Sequence, residues 1–199
     1  MKLLTKTQQQ KNFHYAYYLA FTAPAKRKNR KRIFELWYSA AINGHLRAQF
    51  YVGTCYDNGL GVKKNLEEAF KWYLRAAYQG HPDSQFNVGM LYRDGIGIEL
   101  DYGKSQKWMK MAADNGIIDA WREMGYFCFY GIGVNKDHEK AIFWYRKAAR
   151  KNDPMAIYNL GLCYKYGDGL ARSRRWAKYY FEKAAGMGHR RAGKELEKL

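Results

Sequence analysis

The sequence predicts an all-α solenoid of helix pairs, and three observations carry that expectation. Glycines recur every 36 residues at Gly53, Gly89, Gly125 and Gly161, and again at Gly59, Gly95, Gly131 and Gly167. A third set, Gly61, Gly97, Gly133 and Gly169, keeps the same step. Alanine pairs follow it too, at Ala76-Ala77, Ala112-Ala113, Ala148-Ala149 and Ala184-Ala185. Finally, apolar or small residues fall at i, i+4 and i+8 before each G-x-G, as Ser84, Val88 and Tyr92 do. A fixed period of this length marks stacked repeats, because one such unit cannot bury its apolar face alone.

The elements follow in order. Residues 12–22 (NFHYAYYLAFT) read as a degenerate first helix, and 33–45 (IFELWYSAAINGH) as a lone second helix with Ala40-Ala41 and Gly44 in register. The unit at 82–117 opens on Pro82, which suits the first position of a helix. Its inward face, 84, 88 and 92, has equivalents in Ala48, Val52 and Tyr56, then Ala120, Met124 and Cys128, then Ala156, Leu160 and Tyr164. A mid-helix glycine such as Gly89 costs about 1 kcal/mol of helix propensity. Its recurrence implies a partner helix approaching too closely for a side chain. The loops DNGLGV, RDGIGI, FYGIGV and KYGDGL imply tight or left-handed turns.

Each second helix starts at a capping residue: Asn65, Asp101, Asp137 or Ser173. Asn65 followed by Glu68 reads as a capping box. Trp72, Trp108, Trp144 and Tyr180 align as wedges, as do Tyr73, Met109, Tyr145 and Phe181. Gly80, Gly116, Asn152 and Gly188 suit a left-handed helix end. Residues 192–199 match a truncated first helix with a polar outer face. The expected organisation is a basic, partly helical segment over 1–32 and a solenoid over 33–199, with about four full units and partial ends.

Apolar content of 47% and aromatic content of 17% exclude a disordered chain. The net charge of +17 favours acidic partners. Cys55 and Cys163 share a register three repeats apart, roughly 30 Å at the usual helix spacing, so they cannot bridge within one chain. That pattern reads as packed thiols in a reducing compartment. The N-terminal stretch is too interrupted for a signal sequence, and no apolar run is long enough to span a bilayer. Cytoplasm is the expected location, or the nucleus in a nucleated host, where KRKNRKR (26–32) would serve as an import signal.

No enzyme is expected, and neither is a cofactor, a metal site or a small-molecule substrate. The G-x-G loops follow helices, lack a third glycine and recur in every unit, unlike a phosphate-binding loop. His45, His81 and His189 share one register after the helix-ending glycine, which points to a cap rather than a metal site. His138-Glu139 has no second histidine four residues on.

Strings such as AIYNLGLCYKYGDGL and AIFWYRKAARKN resemble the Sel-one-like repeat family, a relative of the tetratricopeptide repeat. The resemblance covers about residues 33–199. It implies a right-handed superhelix of antiparallel helix pairs, a scaffold or adaptor role, and no shared catalytic residues. Some secreted members carry a disulfide in each repeat. This chain lacks the paired cysteines, which argues against secretion. Leu170 in place of valine and the Ala171-Arg172 linker make its last loop atypical.

In the related architecture, the first helices line the concave groove. The face opposite the inward positions carries Phe50, Phe86 and Arg93, then Arg122, Tyr126, Phe129 and Tyr130, then Tyr158, Lys165 and Tyr166. Aromatics among a few charges suit a peptide or protein partner. Phe50 and Phe86 also read as filling between neighbouring first helices. On the functional reading, Tyr126, Tyr130, Tyr158 and Tyr166 are anchors, and Arg93, Arg122 and Lys165 pair with acidic side chains. Two basic clusters flank the repeats: Lys26, Arg27, Lys28, Arg30, Lys31 and Arg32, and then Arg172, Arg174, Arg175 and Lys178. They would steer an acidic protein partner into place. The alternative is an accessory protein that binds nucleic acid through these clusters. A membrane is the least favoured partner.

Overall fold

The computed structural model describes residues 5–23 and 29–199. Among them the secondary structure is helical, with no strand. The elements are α1 (Lys6–Tyr17), a π-helical turn (Tyr18–Thr22), α2 (Arg30–Ala41), α3 (Leu46–Asn58), α4 (Leu66–Tyr78), α5 (Pro82–Asp94), α6 (Tyr102–Asp114), α7 (Ile118–Tyr130), α8 (His138–Ala149), α9 (Pro154–Tyr166), α10 (Arg174–Gly186) and α11 (Arg190–Leu196). The chain divides into two compact units, one ending at Asp101 and one beginning at Tyr102. Helix α2 begins at Arg30, three residues before the stretch over 33–45 expected as a lone second helix.

In the first unit α1 packs on α2, α2 on α3, α3 on α4 and α4 on α5. Phe13, Ala16 and Leu19 join Ile33, Trp37, Val52, Cys55 and Trp72 in one core, so the opening segment supplies a first helix to the lone α2. The second unit repeats the pattern from α6 to α11. Its core holds Met109, Phe127, Tyr145, Ile157, Leu160 and Phe181. All three cysteines are free and buried, and burial pushes the Cys55 and Cys163 thiols up to about 12.

The mid-helix glycines have a specific cause. A Cβ on Gly53 would stand 2.6 Å from the Tyr73 ring, one on Gly125 2.5 Å from the Tyr145 ring, and one on Gly161 2.5 Å from the Phe181 ring. Each of these three glycines therefore receives the ring of the second helix in its own pair. The second loop glycines have a different role. A Cβ on Gly133 would lie 2.8 Å from Tyr102 Cβ, and one on Gly169 2.7 Å from His138 Cβ. Both take positive φ, 67° and 70°. The loop of one repeat thus lies directly on the first residue of the preceding second helix, where a side chain has neither room nor a permitted backbone.

Asn65, Asp137 and Ser173 cap their helices as expected, each accepting from the amide three residues on. The capping box at Asn65 is incomplete. The amide of Asn65 donates to the Tyr56 carbonyl, and the Glu68 carboxylate pairs with Lys71 at 2.7 Å. The same tie runs from Asp101 to Tyr92, Asp137 to Cys128 and Ser173 to Tyr164. The cap's own donor thus fastens the loop back to the first helix and is unavailable to a glutamate.

The register histidines cap the helix that follows them rather than the one that ends. Nδ1 of His45, His81 and His189 accepts from the amides of Ala48, Ser84 and Ala192 at 3.2, 3.2 and 3.3 Å. Burial is the largest cause holding each imidazole below the ordinary value of 6.5. As pH falls, the unfolded chain therefore takes up protons before the folded one. Stability is full above about pH 6.5 and declines as the pH drops below it. Urea midpoints at pH 7.5 and 5.5 should show this loss, and His81→Asn, a cap that does not titrate, should shrink it. An unchanged difference in that variant would remove His81 from the effect.

Candidate functional site

The outward positions of the first helices differ between the two units in how far they are committed to internal contacts. In the first unit, Phe50 stacks on the capping imidazole of His81 with centroids 4.7 Å apart. It also meets the Tyr73 ring at 5.9 Å. Phe50 is thus a spacer between one first helix and the start of the next. Phe86 is likewise half-buried. Arg93 forms two bonds to Asp94, at 2.7 and 3.0 Å.

In the second unit the same register carries Arg122 and Tyr158. Tyr158 stacks on His189 at 4.4 Å, repeating the Phe50–His81 pairing. Where the cap is Asp153, the position holds Arg122, whose guanidinium meets that carboxylate at 2.8 Å and Asp119 at 2.6 Å. Glu123 lies 3.7 Å away. Burial works to lower the Arg122 pKa, but Asp153, Asp119 and Glu123 together hold it raised. A ring therefore faces a histidine cap, and a cation faces an aspartate cap. Lys165 reaches Glu195 of α11 at 2.6 Å. This bond is the largest cause of both shifts, with the Lys165 pKa raised and the Glu195 pKa lowered.

Arg93, Arg122 and Lys165 are therefore already paired with carboxylates of the chain. A partner's acid would have to compete for each of them. Three tyrosines are differently placed. Tyr126 is exposed, Tyr130 is 60% exposed and Tyr166 is 63% exposed. None of their hydroxyls makes a hydrogen bond among the described residues. Tyr126 and Tyr130 lie 4.6 Å apart. Tyr130 also meets Phe129 edge-on at 5.0 Å, and Phe129 is held by stacking on His138 at 4.7 Å. The Lys165 ammonium sits 5.6 Å from the Tyr166 centroid. Helices α7 and α9 thus present rings with open faces and unspent hydroxyls.

The basic clusters are only partly described. Lys26, Arg27 and Lys28 lie outside the described residues. Arg30, Lys31 and Arg32 occupy the first turn of α2, which holds no acid, and among the described residues Arg32 pairs with Glu35 at 3.5 Å. Arg174, Arg175 and Lys178 lie in the first turns of α10, which also lacks an early acid, and Arg172 precedes its cap. Among the described residues, no three histidines, cysteines or carboxylates are grouped to hold a metal ion, and no helix is long and apolar enough to cross a membrane.

One register escaped the reading of the sequence. Gln49 and Gln85 donate their amides to the Ala41 and Ala77 carbonyls at 3.3 Å, and Trp121 donates to Ala113 at 2.7 Å. Each adds a second donor to a carbonyl at a second-helix end that already accepts from the amide of Gly44, Gly80 or Gly116 at 3.0, 3.0 and 3.1 Å. The 36-residue step from 49 to 85 to 121 was visible, but glutamine and tryptophan share no pattern short of their common donor N–H.

Comparison with protein-family models matches "Sel1 repeat" at residues 46–81, 82–117, 119–153 and 154–189. Among solved structures, the chain is 32% identical to a Sel1 repeat protein from Oxalobacter formigenes, with a TM-score of 0.83 over 94% of this chain and 76% of that one. It is 30% identical to c5321, a protective antigen of uropathogenic Escherichia coli with an SLR fold, with a TM-score of 0.89. That match covers 94% of this chain but spans only 40% of the antigen's length. The immunity protein Pa5087 from Pseudomonas aeruginosa shares the fold at 22% identity and a TM-score of 0.57, over 95% of this chain and 69% of its own. The search of curated proteins found no match.

Proposed function

The chain belongs to the Sel1 repeat family, whose members are generally protein–protein interaction scaffolds, and from that premise we propose that it is a non-catalytic adaptor holding a partner segment against the first helices α7 and α9. The observation that carries this reading is the set of exposed tyrosines, Tyr126, Tyr130 and Tyr166, with free ring faces and unspent hydroxyls. Tyrosine supplies a large contact area at low entropic cost and a polar tip that fixes orientation. Tyr158, Phe129 and the paired Arg122 and Lys165 frame these anchors and hold their backbone still. Phe50 acts as a spacer in the first unit, where Arg93 is paired with Asp94. A partner with an acidic surface suits the net charge of +17, which speeds encounter more than it tightens the complex.

Affinity capture from the host lysate, with and without nuclease, tests the proposal when the double variant Tyr130→Ala/Tyr166→Ala is run beside the native chain. A stoichiometric protein should survive nuclease and be lost from the variant, since central aromatic anchors carry about 2 kcal/mol or more each. Capture that is equal for the two chains would sink the tyrosine face as the binding surface.

A further inference from the structure

We infer that the outer face of α10 is a separate binding surface for single-stranded nucleic acid. Three observations meet there. First, Arg172, Arg174, Arg175 and Lys183 are exposed and make no ion pair among the described residues. The three arginines surround a helix start whose first turn holds no acid, while Lys183 lies in the last turn, so the arginines sit against the positive end of the helix dipole. Cations placed there repel one another and the dipole until an anion arrives. Glu182 is the only carboxylate on the helix, and it lies 3.7 Å from Lys178.

Second, large rings are exposed among these cations. Trp176 is 47% exposed and Tyr179 48% exposed, although both lie in a well-formed helix. On a helix, 176, 179 and 183 share a face, with 175 beside 179. Aromatic and basic side chains are therefore interleaved along one surface.

Third, a ladder of rings is already built beneath it. Tyr164 of α9 stacks on Tyr180 at 5.5 Å, with 13° between the planes, and on Trp176 at 6.1 Å with 29°. Tyr179 meets Trp176 edge-on at 5.6 Å. A base added to the open side of Trp176 or Tyr179 extends this ladder, while Arg174, Arg175 and Arg172 meet the phosphates on either side. Acidic peptides would use the cations and leave the rings idle. Stacked bases joined by phosphates use both, and that alternation is how single strands are held without sequence preference. A duplex hides its base faces and offers phosphates and base edges, with no ring face to stack on.

The test is fluorescence anisotropy with a labelled twelve-nucleotide thymidine strand, and the same strand in a duplex, titrated with the full chain at 50 and 200 mM salt. The single strand should bind and weaken as salt rises. Trp176→Ala and Tyr179→Ala should each lower its affinity about 5- to 100-fold and leave duplex binding unchanged. Trp176→Phe should restore most of the loss, because phenylalanine still offers a ring. Arg174→Gln/Arg175→Gln should weaken both ligands and flatten the salt slope. Circular dichroism checks that these surface variants remain folded. The proposal fails if the strand does not bind at 50 mM salt. It also fails if strand and duplex bind alike with the ring variants silent, which is plain polyanion attraction, or if binding ignores every change on α10. Binding of anionic lipid vesicles without binding of the strand would likewise overturn it. Because α10 carries none of the proposed tyrosine anchors, failure here leaves the adaptor reading untouched, and the reverse holds.

Discussion

Truncating Tyr145 to alanine should lower the unfolding free energy by about 3–5 kcal/mol, the cost of emptying a fully packed aromatic site. Tyr145 is buried against the glycine of its own pair, Gly125. The more telling result is the partner substitution. Gly125→Ala in the native chain adds a methyl 2.5 Å from a ring that cannot withdraw. Overpacking of about 1–3 kcal/mol then outweighs a helix-propensity gain of about 1 kcal/mol, so the variant is destabilised. In the Tyr145→Ala background the ring is gone, leaving the propensity gain against one tight contact, the Ala141 carbonyl oxygen at 3.2 Å. The same Gly125→Ala change should therefore become stabilising, by less than about 1 kcal/mol. Urea unfolding of the four chains of this double-mutant cycle measures both signs. If Gly125→Ala destabilises equally in both backgrounds, the ring is not the reason for the glycine.

Asp153→Ala should cost about 4 kcal/mol by the same measurement, from two separable losses. Asp153 Oδ1 caps α9 through the Ala156 amide at 2.6 Å, a bond worth about 1 kcal/mol. Its other oxygen meets the Arg122 guanidinium at 2.8 Å, and the two side chains are only 10% and 15% exposed. Breaking a buried pair by removing one partner costs about 3–5 kcal/mol. The lower end applies because Arg122 keeps Asp119. Asp153→Asn retains the cap and discards the charge, so it should fall between Asp153→Ala and the native chain. Arg122→Met combined with Asp153→Asn should recover part of the loss, since the buried guanidinium is removed with its partner charge, while Glu123 loses its Arg122 contact. Should Asp153→Asn match the native chain, the pair contributes nothing and the capping bond accounts for the whole effect.

The repeat was legible because stacking forces equivalent positions into equivalent environments. Gly53, Gly125 and Gly161 stood out because nothing but a steric demand explains a helix breaker in the middle of a helix, repeated at a fixed step. The inward triplets such as Ala48, Val52 and Tyr56 were legible for the same reason. The opening α1 was harder to read. Its partner α2 lies across a basic segment, and Phe13 takes its place in the core without a glycine register to announce it. The candidate site was less legible still. The sequence placed Arg122, Lys165, Tyr130 and Tyr166 on one face as equals. Tertiary partners 30 residues away, Glu195 for Lys165 and Asp153 near that distance for Arg122, occupy the two cations and leave the tyrosines open.

By itself, the sequence determined the helix pairs, their 36-residue step, the caps and the family, because each depends on local propensity and on periodic burial. Only the tertiary structure decided which ring fills which glycine, why Asn65 has no capping box, and that the register histidines start helices rather than end them. It also decided that α7 and α9 present exposed tyrosines, and that α10 presents arginines without an ion pair among the described residues, beside open rings. The physical reason is that a side chain's availability depends on what stands opposite it in space, and a repeat register gives position along the chain without naming the neighbour across the fold.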